Sequence, residues 1–77
     1  MTKLPIVSPQ AMEKILLKRG FVKTRQKGSH AFFSHPNGNG TVVPMHKGED
    51  LGRGMIKSIL NDIELSREEY ERLRLET

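Results

Sequence analysis

Three short segments with β-strand character follow one another in the middle of the chain, with only turn residues between them. They cover residues 21–26, 30–35 and 41–46. Lys27-Gly28 separates the first two, and the run from Pro36 to Gly40 is dense in residues that tolerate positive φ. Because consecutive strands with short connections pair side by side, the segments predict a three-stranded antiparallel sheet. Pro44 cannot donate a ladder hydrogen bond, which indicates an edge position for the third strand.

Amphipathic segments flank these strands on both sides. Ser8-Pro9 is typical of a helix start and Gly20 of a helix end, so the first helix is predicted from Pro9 to Arg19. Helical spacing predicts a second helix across Met55, Ile56, Ile59, Leu60 and Ile63. Ser66-Arg67-Glu68-Glu69 fits a capping box and predicts a short third helix from about Arg67 to Leu75. The order α-β-β-β-α-α is an α+β fold with the two main helices on one face of the sheet.

The length and composition restrict the classes of site that the chain can build. Its 77 residues suffice for one compact core and not for two, so residues 1–77 are expected to form a single domain. The absence of cysteine excludes disulfides, thiolate-metal sites and a thiol nucleophile. Met1 to Val7 holds no apolar run long enough for a signal peptide, so no membrane contact and a cytoplasmic location are expected.

Positive charge is concentrated in the middle of the chain. The formal net charge is +4, and the stretch from Lys14 to Lys47 holds seven Lys or Arg and no Asp or Glu. Ser66 to Thr77, by contrast, has four Glu and three Arg. A local cationic surface favours a polyanionic partner, and a merely solvated face is the alternative interpretation.

The densest group of chemically active side chains is the turn from Arg25 to His30. It reads Arg25-Gln26-Lys27-Gly28-Ser29-His30, with two cations, a hydroxyl and an imidazole and with no carboxylate. Histidine can take and return a proton near neutral pH without a metal. RNA would suit such a turn, since it supplies its own nucleophile in the 2′-hydroxyl.

Further short motifs continue this pattern along nearly the whole chain, from about Ser8 to Tyr70. They are Gly20-Phe21, the turn itself, Phe33, Val43-Pro44-Met45-His46, Gly54, Ile59-Leu60 and Ser66-Arg67-Glu68-Glu69. In order and approximate spacing the sequence resembles the HicA family of toxin ribonucleases, the mRNA interferases of two-component toxin–antitoxin modules. The family usually closes the second helix with Gly, where this chain has Glu64, and Glu49-Asp50 adds negative charge near the turn.

The resemblance implies a double-stranded-RNA-binding-domain-like fold and metal-independent cleavage of messenger RNA, with no cofactor. It also implies neutralisation by a HicB-type antitoxin that covers the active site, with DNA contacted only through the antitoxin complex. The family's catalytic histidine falls on His30. We hypothesise that His30 removes the 2′-hydroxyl proton and that a cyclic phosphate results. The predicted RNA-binding residues are Arg25, Lys27, Gly28, Ser29, His46, Lys47 and Arg53.

Several of these residues have structural alternatives. His30, His35 and His46 could form a metal site, but their spacing matches no dense ligand pattern, and His35 is better explained as capping a strand end beside Pro36. Ser29 fits a bond to the turn backbone as well as it fits substrate contact. For Gly52-Arg53-Gly54, phosphate binding at the helix start and plain packing with a solvated Arg53 are equally compatible.

Phe32 and Phe33 must point to opposite sides of the second strand. We predict that Phe33 is buried. Phe32 either lies exposed, free to stack on a base or to meet the antitoxin, or belongs to the edge of the core, and the sequence does not decide between the two. For the whole chain, two other functions remain open. One is a non-catalytic module that binds double-stranded RNA, and the other is a protein-interaction domain.

Overall fold

The computed structural model describes residues 3–77. Met1 and Thr2, which begin the segment for which no signal peptide is expected, lie outside the described residues. The elements are α1 (Pro9–Lys18), β1 (Val22–Lys27), β2 (His30–Ser34), β3 (Gly40–Pro44), α2 (Arg53–Ile63) and α3 (Arg67–Glu76). The predicted α+β order is therefore confirmed, with boundaries that differ by one or two residues. Within residues 3–77, no helix has the length and apolar character needed to cross a membrane.

The two helix starts predicted from capping residues form as expected. The Ser8 Oγ accepts a hydrogen bond from the Ala11 N–H at 3.1 Å. The Ser66 Oγ accepts one from the Glu69 N–H at 3.1 Å, which gives one half of the capping box. The Glu69 carboxylate turns instead to Arg72 on the same helix. Side-chain acceptors thus satisfy backbone donors that an α-helix leaves free at its N-terminus.

Helix α1 ends at Lys18, one residue before the predicted end, and Gly20 closes it as predicted, in a left-handed backbone conformation with φ of +93°. The Phe21 N–H donates to the Leu16 carbonyl at 2.9 Å across this turn. That bond holds Phe21 in the helix cap, which is why β1 begins at Val22 rather than at the predicted residue 21.

The three strands form one antiparallel sheet in the order β1-β2-β3, which confirms the edge position of the strand that contains Pro44. In its register His30 pairs with Lys27 on one side and with Pro44 on the other. A bulge between Lys23 and Arg25 interrupts the ladder of β1, and the Thr24 hydroxyl there donates to the Phe32 carbonyl at 3.2 Å.

The helices cover one face of the sheet, and the core lies between. Ala31 and Phe33 of β2 and Thr41 and Val43 of β3 alternate toward that core and are buried. The helices contribute Met12, Ile15, Leu16, Ile56, Ile59, Leu60, Ile63, Tyr70 and Leu73. Phe33 is buried as predicted, whereas Phe32 is half-buried on the opposite side. This arrangement is the double-stranded-RNA-binding-domain-like fold that the resemblance implies.

The other face of the sheet carries no helix, and we call it the open face. Its residues are Val22, Arg25 and Lys27 of β1, His30, Phe32 and Ser34 of β2, and Val42 and Pro44 of β3. Every residue of β1 is exposed, so this strand supplies no side chain to the core. The open face and β1 are therefore available to a ligand.

Candidate functional site

The turn between β1 and β2 is a two-residue hairpin loop made of Gly28 and Ser29. Gly28 has φ of +59°, and Ser29 is not among the residues with positive φ, which is the pattern of a type II′ turn. The Gln26 Nε2 donates to the Gly28 carbonyl at 3.2 Å. The Met45 N–H donates to the Ser29 carbonyl at 2.6 Å. The chain that follows β3 is therefore tied to this turn.

The hairpin register brings the predicted catalytic residue and two predicted RNA-binding cations onto the same face. His30 lies directly across from Lys27, and the next residue of β2 on this face, Phe32, lies across from Arg25. Residues two positions apart along a strand are about 7 Å from each other on one face of the sheet. The open face thus presents an imidazole, an ammonium and a guanidinium as near neighbours.

No carboxylate neutralises this group within residues 3–77, because the ion pairs of the described chain lie elsewhere. Lys23, on the helix side of β1, pairs with Glu13 of α1 at 3.6 Å. The remaining pairs join Lys18 to Glu76, Arg67 to Glu71, and Arg72 to Glu69 and Glu76. Glutamates of α1 and α3 thus pair with cations on the helix side, while Arg25 and Lys27 have no carboxylate partner among residues 3–77.

Arg25 has a specific contact there, which is with an aromatic ring. Its guanidinium carbon lies 4.6 Å from the centroid of the Phe32 ring, within the range of a cation–π interaction. Arg25 is exposed and Phe32 is half-buried, so a ligand on the open face could reach this contact. Both residues were candidate RNA-contacting residues from the sequence, but their contact with each other was not predicted.

A cavity of about 620 Å³ opens beside His30, and we call it the groove. His30, Phe32, Val42 and Pro44 of the sheet line it together with residues of α2 such as Met55 and Asp62. The Thr41 hydroxyl donates to the Asp62 carboxylate at 3.0 Å, which joins α2 to β3 at this border. The α2 residues of the groove were not predicted from the sequence. Their helical spacing could be recognised in the sequence, but nothing there indicated that they lie beside β3.

The remaining predicted RNA-binding residues are distributed around the hairpin. His46 and Lys47 are exposed and follow β3 after Met45, beyond the end at which Pro44 pairs with His30. Arg53 is the first residue of α2, and its Nε donates to the Leu4 carbonyl at 2.9 Å. Arg53 is not among the residues that line the groove.

The three histidines do not converge. His35 follows the far end of β2 from His30, where its ring lies against Phe21 with centroids 5.0 Å apart. Its Nδ1 accepts the Asn37 N–H at 3.0 Å, which agrees with the interpretation of His35 as a cap beside Pro36. No group of three or more His, Asp or Glu side chains suited to a metal ion occurs within residues 3–77.

Comparison with protein-family models gives one informative match. A model described as "HicA toxin of bacterial toxin-antitoxin" matches residues 10–65, a span that begins in α1 and ends just after α2. The hairpin, the open face and the groove all lie inside the matched span. Comparison with curated protein sequences gave no match.

Proposed function

Since the chain belongs to the HicA family of bacterial toxin–antitoxin toxins, we propose that it is an endoribonuclease that cleaves messenger RNA with His30 as general acid/base. The observation that carries the proposal is the placement of His30 beside Lys27 and Arg25 on the open face, without a carboxylate paired to any of them among residues 3–77. A helix-free sheet face with an imidazole among cations can hold a polyanion and exchange a proton with it.

The chemistry follows from the substrate's own 2′-hydroxyl. His30 takes the proton of that hydroxyl, and the freed oxygen attacks the adjacent phosphorus. The bond from phosphorus to the 5′ oxygen then breaks, so the products are a 2′,3′-cyclic phosphate and a 5′-hydroxyl. The proton held by His30 passes to the departing 5′ oxygen, directly or through a water molecule, which gives the 5′-hydroxyl and restores the base. No metal ion and no other cofactor is required for these steps.

The residues next to His30 would stabilise the negative charge of the transition state. Negative charge grows on the phosphate oxygens as the five-coordinate transition state forms, and Lys27 and Arg25 would lie against those oxygens. The backbone N–H groups of Gly28 and Ser29 would add neutral donors at the tight turn. His46 and Lys47, just past the end of β3, would extend the contact along the RNA backbone.

The toxin family also implies an antitoxin, and we propose a HicB-type protein that covers the open face. Such a cover would block access of RNA to His30 without changing the fold. Added HicB-type protein should therefore stop RNA cleavage, and the His30→Ala variant should still bind it.

The decisive variant is His30→Ala. We expect RNA cleavage to fall by about 10² to 10⁴-fold, the usual contribution of a general base, with a chelator present throughout. Because His30 is exposed and outside the core, the fold should persist, and the variant should still bind RNA. Cleavage is measured by gel analysis of a labelled transcript, and mass spectrometry of the products tests for the cyclic phosphate.

Lys14→Ala serves as a matched control, because Lys14 is exposed on α1, on the opposite side of the sheet. It should cleave like the unmodified chain. Full activity of His30→Ala would remove His30 from the mechanism. RNA binding with no cleavage by the unmodified chain would favour the alternative of a non-catalytic RNA-binding module.

A further inference from the structure

His30 lies at one end of the groove, and the rest of the groove surface has no role in the proposed catalysis. Phe32, Val42, Pro44 and Met55 form an apolar floor beside His30, and Met55 is 41 % exposed. Asp62 adds a carboxylate on the α2 side. A reaction that needed only a base and cations would not require this apolar surface.

Opposite charges lie on the two sides of the groove. Arg25 and Lys27 lie on β1, next to His30 and Phe32 of the central strand, although they are not among the residues that line the groove. Asp62 lines the groove on α2, which borders β3 through the bond to Thr41. A phosphate backbone is attracted to the β1 border and repelled from the α2 border. A nucleic acid strand would therefore run along β1 and β2 and direct its bases across Phe32 toward β3.

The contact between Arg25 and Phe32 lies where such a base would arrive. Unpaired RNA bases stack on aromatic rings and on the planar face of arginine, and a guanidinium already resting on a ring combines the two. We propose that Arg25 and Phe32 together form a stacking platform for an unpaired base next to the phosphate that is cleaved. This inference rests on the proposed ribonuclease function, and it makes single-stranded RNA the substrate class.

The charge pattern decides between RNA and a peptide as the occupant. A cation lies over the ring, a second cation lies beside the histidine, and neither is paired with a carboxylate within residues 3–77. RNA has planar bases that can stack on the ring and regularly spaced phosphates that can contact the two cations. We therefore take RNA rather than a peptide as the occupant.

The test measures binding rather than cleavage, in full-length protein that carries His30→Ala so that the RNA stays intact. The two probes are an adenosine hexaribonucleotide and an abasic hexamer with the same ribose-phosphate backbone. Arg25→Lys keeps the charge but removes the planar group, and Phe32→Leu keeps an apolar side chain but removes the ring. Each change should weaken binding of the adenosine probe by about 10-fold, the scale of one stacked base. Binding of the abasic probe should change by less than about 2-fold.

Phe32→Tyr is the matched control, because it preserves the ring and should preserve the preference for the adenosine probe. Equal weakening of both probes would mean that Arg25 and Phe32 contribute only charge or stability, and the platform would be rejected. Unchanged RNA binding together with weaker capture of a HicB-type protein would identify the groove as a protein-docking surface instead. Failure of the ribonuclease proposal itself would be recognised separately, because the unmodified chain would then not cleave RNA.

Discussion

Tyr70 contributes both an aromatic ring and a hydrogen-bonded hydroxyl to the described core. Its ring is fully buried, and its hydroxyl donates to the Pro5 carbonyl at 2.6 Å. The bond joins α3 to the segment that precedes α1, at a sequence separation of 65 residues. Burial raises the pKa of the Tyr70 hydroxyl above its ordinary value of 10.0, and Arg74 partly opposes this while Glu71 adds to it.

The raised pKa predicts a specific alkaline dependence of stability. The folded chain holds the Tyr70 proton more tightly than the unfolded chain does. The stability linked to it is therefore complete below pH 10 and is lost as the pH rises through the folded-state pKa. Tyr70→Phe should unfold about 1 kcal/mol more easily at pH 7, since the Pro5 carbonyl loses its donor.

The measurement is urea denaturation of the unmodified chain and of Tyr70→Phe from pH 7 to pH 11.5. The difference between the two should shrink or reverse above pH 10, because only tyrosine can ionise. Lysine deprotonation affects both proteins alike and cancels in the comparison. A difference that stays constant over the whole range would show that the Tyr70 hydroxyl is not linked to folding.

At the scale of elements, the end of α2 departs from the usual choice of residue. Glu64 has φ of 56°, and it is the only non-glycine residue with positive φ among residues 3–77. A side chain with a Cβ pays roughly 1–2 kcal/mol for this left-handed conformation, a cost that glycine avoids. The turn still closes, since the Leu65 N–H donates to the Leu60 carbonyl at 3.0 Å.

Replacing Glu64 with glycine should therefore stabilise the protein. Glu64→Gly is expected to raise the free energy of unfolding by about 1 kcal/mol, as measured by urea denaturation. Glu64→Ala retains the Cβ and should give no such gain. Lys57→Gly, at an exposed position inside α2, should lower stability by about 1 kcal/mol. If Glu64→Gly and Glu64→Ala behaved alike, backbone strain at Glu64 would not be the cause.

The elements were predictable from the sequence because their signals are local. Ser8, Gly20 and Ser66 mark helix ends by their own backbone chemistry, and Gly28 marks the hairpin. The pairing of His30 with Lys27 follows from the length of that loop. The start of α2 was less clear, because Gly52 and Gly54 flank Arg53 and no side chain caps the helix there.

The site was only partly predictable, because its remaining contacts depend on tertiary packing. Arg53 reaches the Leu4 carbonyl, 49 residues away, and Asp62 reaches Thr41, 21 residues away. No local pattern encodes those distances. The same applies to the stacking of Arg25 on Phe32, since the bulge after Lys23 sets which residues of β1 face the ring.

Across the whole molecule, charge is divided between the two sides of the sheet. Carboxylates of α1 and α3 pair with cations on the helix side, while Arg25 and Lys27 on the open face have no carboxylate partner within residues 3–77. The net charge of +4 therefore understates the local positive potential that a ligand would meet at the hairpin.

This division predicts how RNA binding responds to salt. In the His30→Ala background, Lys27→Ala should reduce the slope of log K against log salt by about 0.7, the value for one phosphate contact on a single strand. Lys14→Ala removes the same charge from the helix side and should leave the slope unchanged. Both slopes are measured by fluorescence anisotropy of labelled RNA at salt concentrations from about 50 to about 300 mM. Equal reductions by the two variants would show that only the total charge matters.

Because every residue of β1 is exposed, the fold and the ligand surface place their demands on different residues of the chain. The side chains that define the stable fold belong to the other elements, so most replacements on β1 should change unfolding free energy by no more than about 0.5 kcal/mol. The same replacements alter the border that would meet a nucleic acid or an antitoxin. Target preference can therefore diverge among descendants of such a chain through one strand, while the packed interior stays as it is.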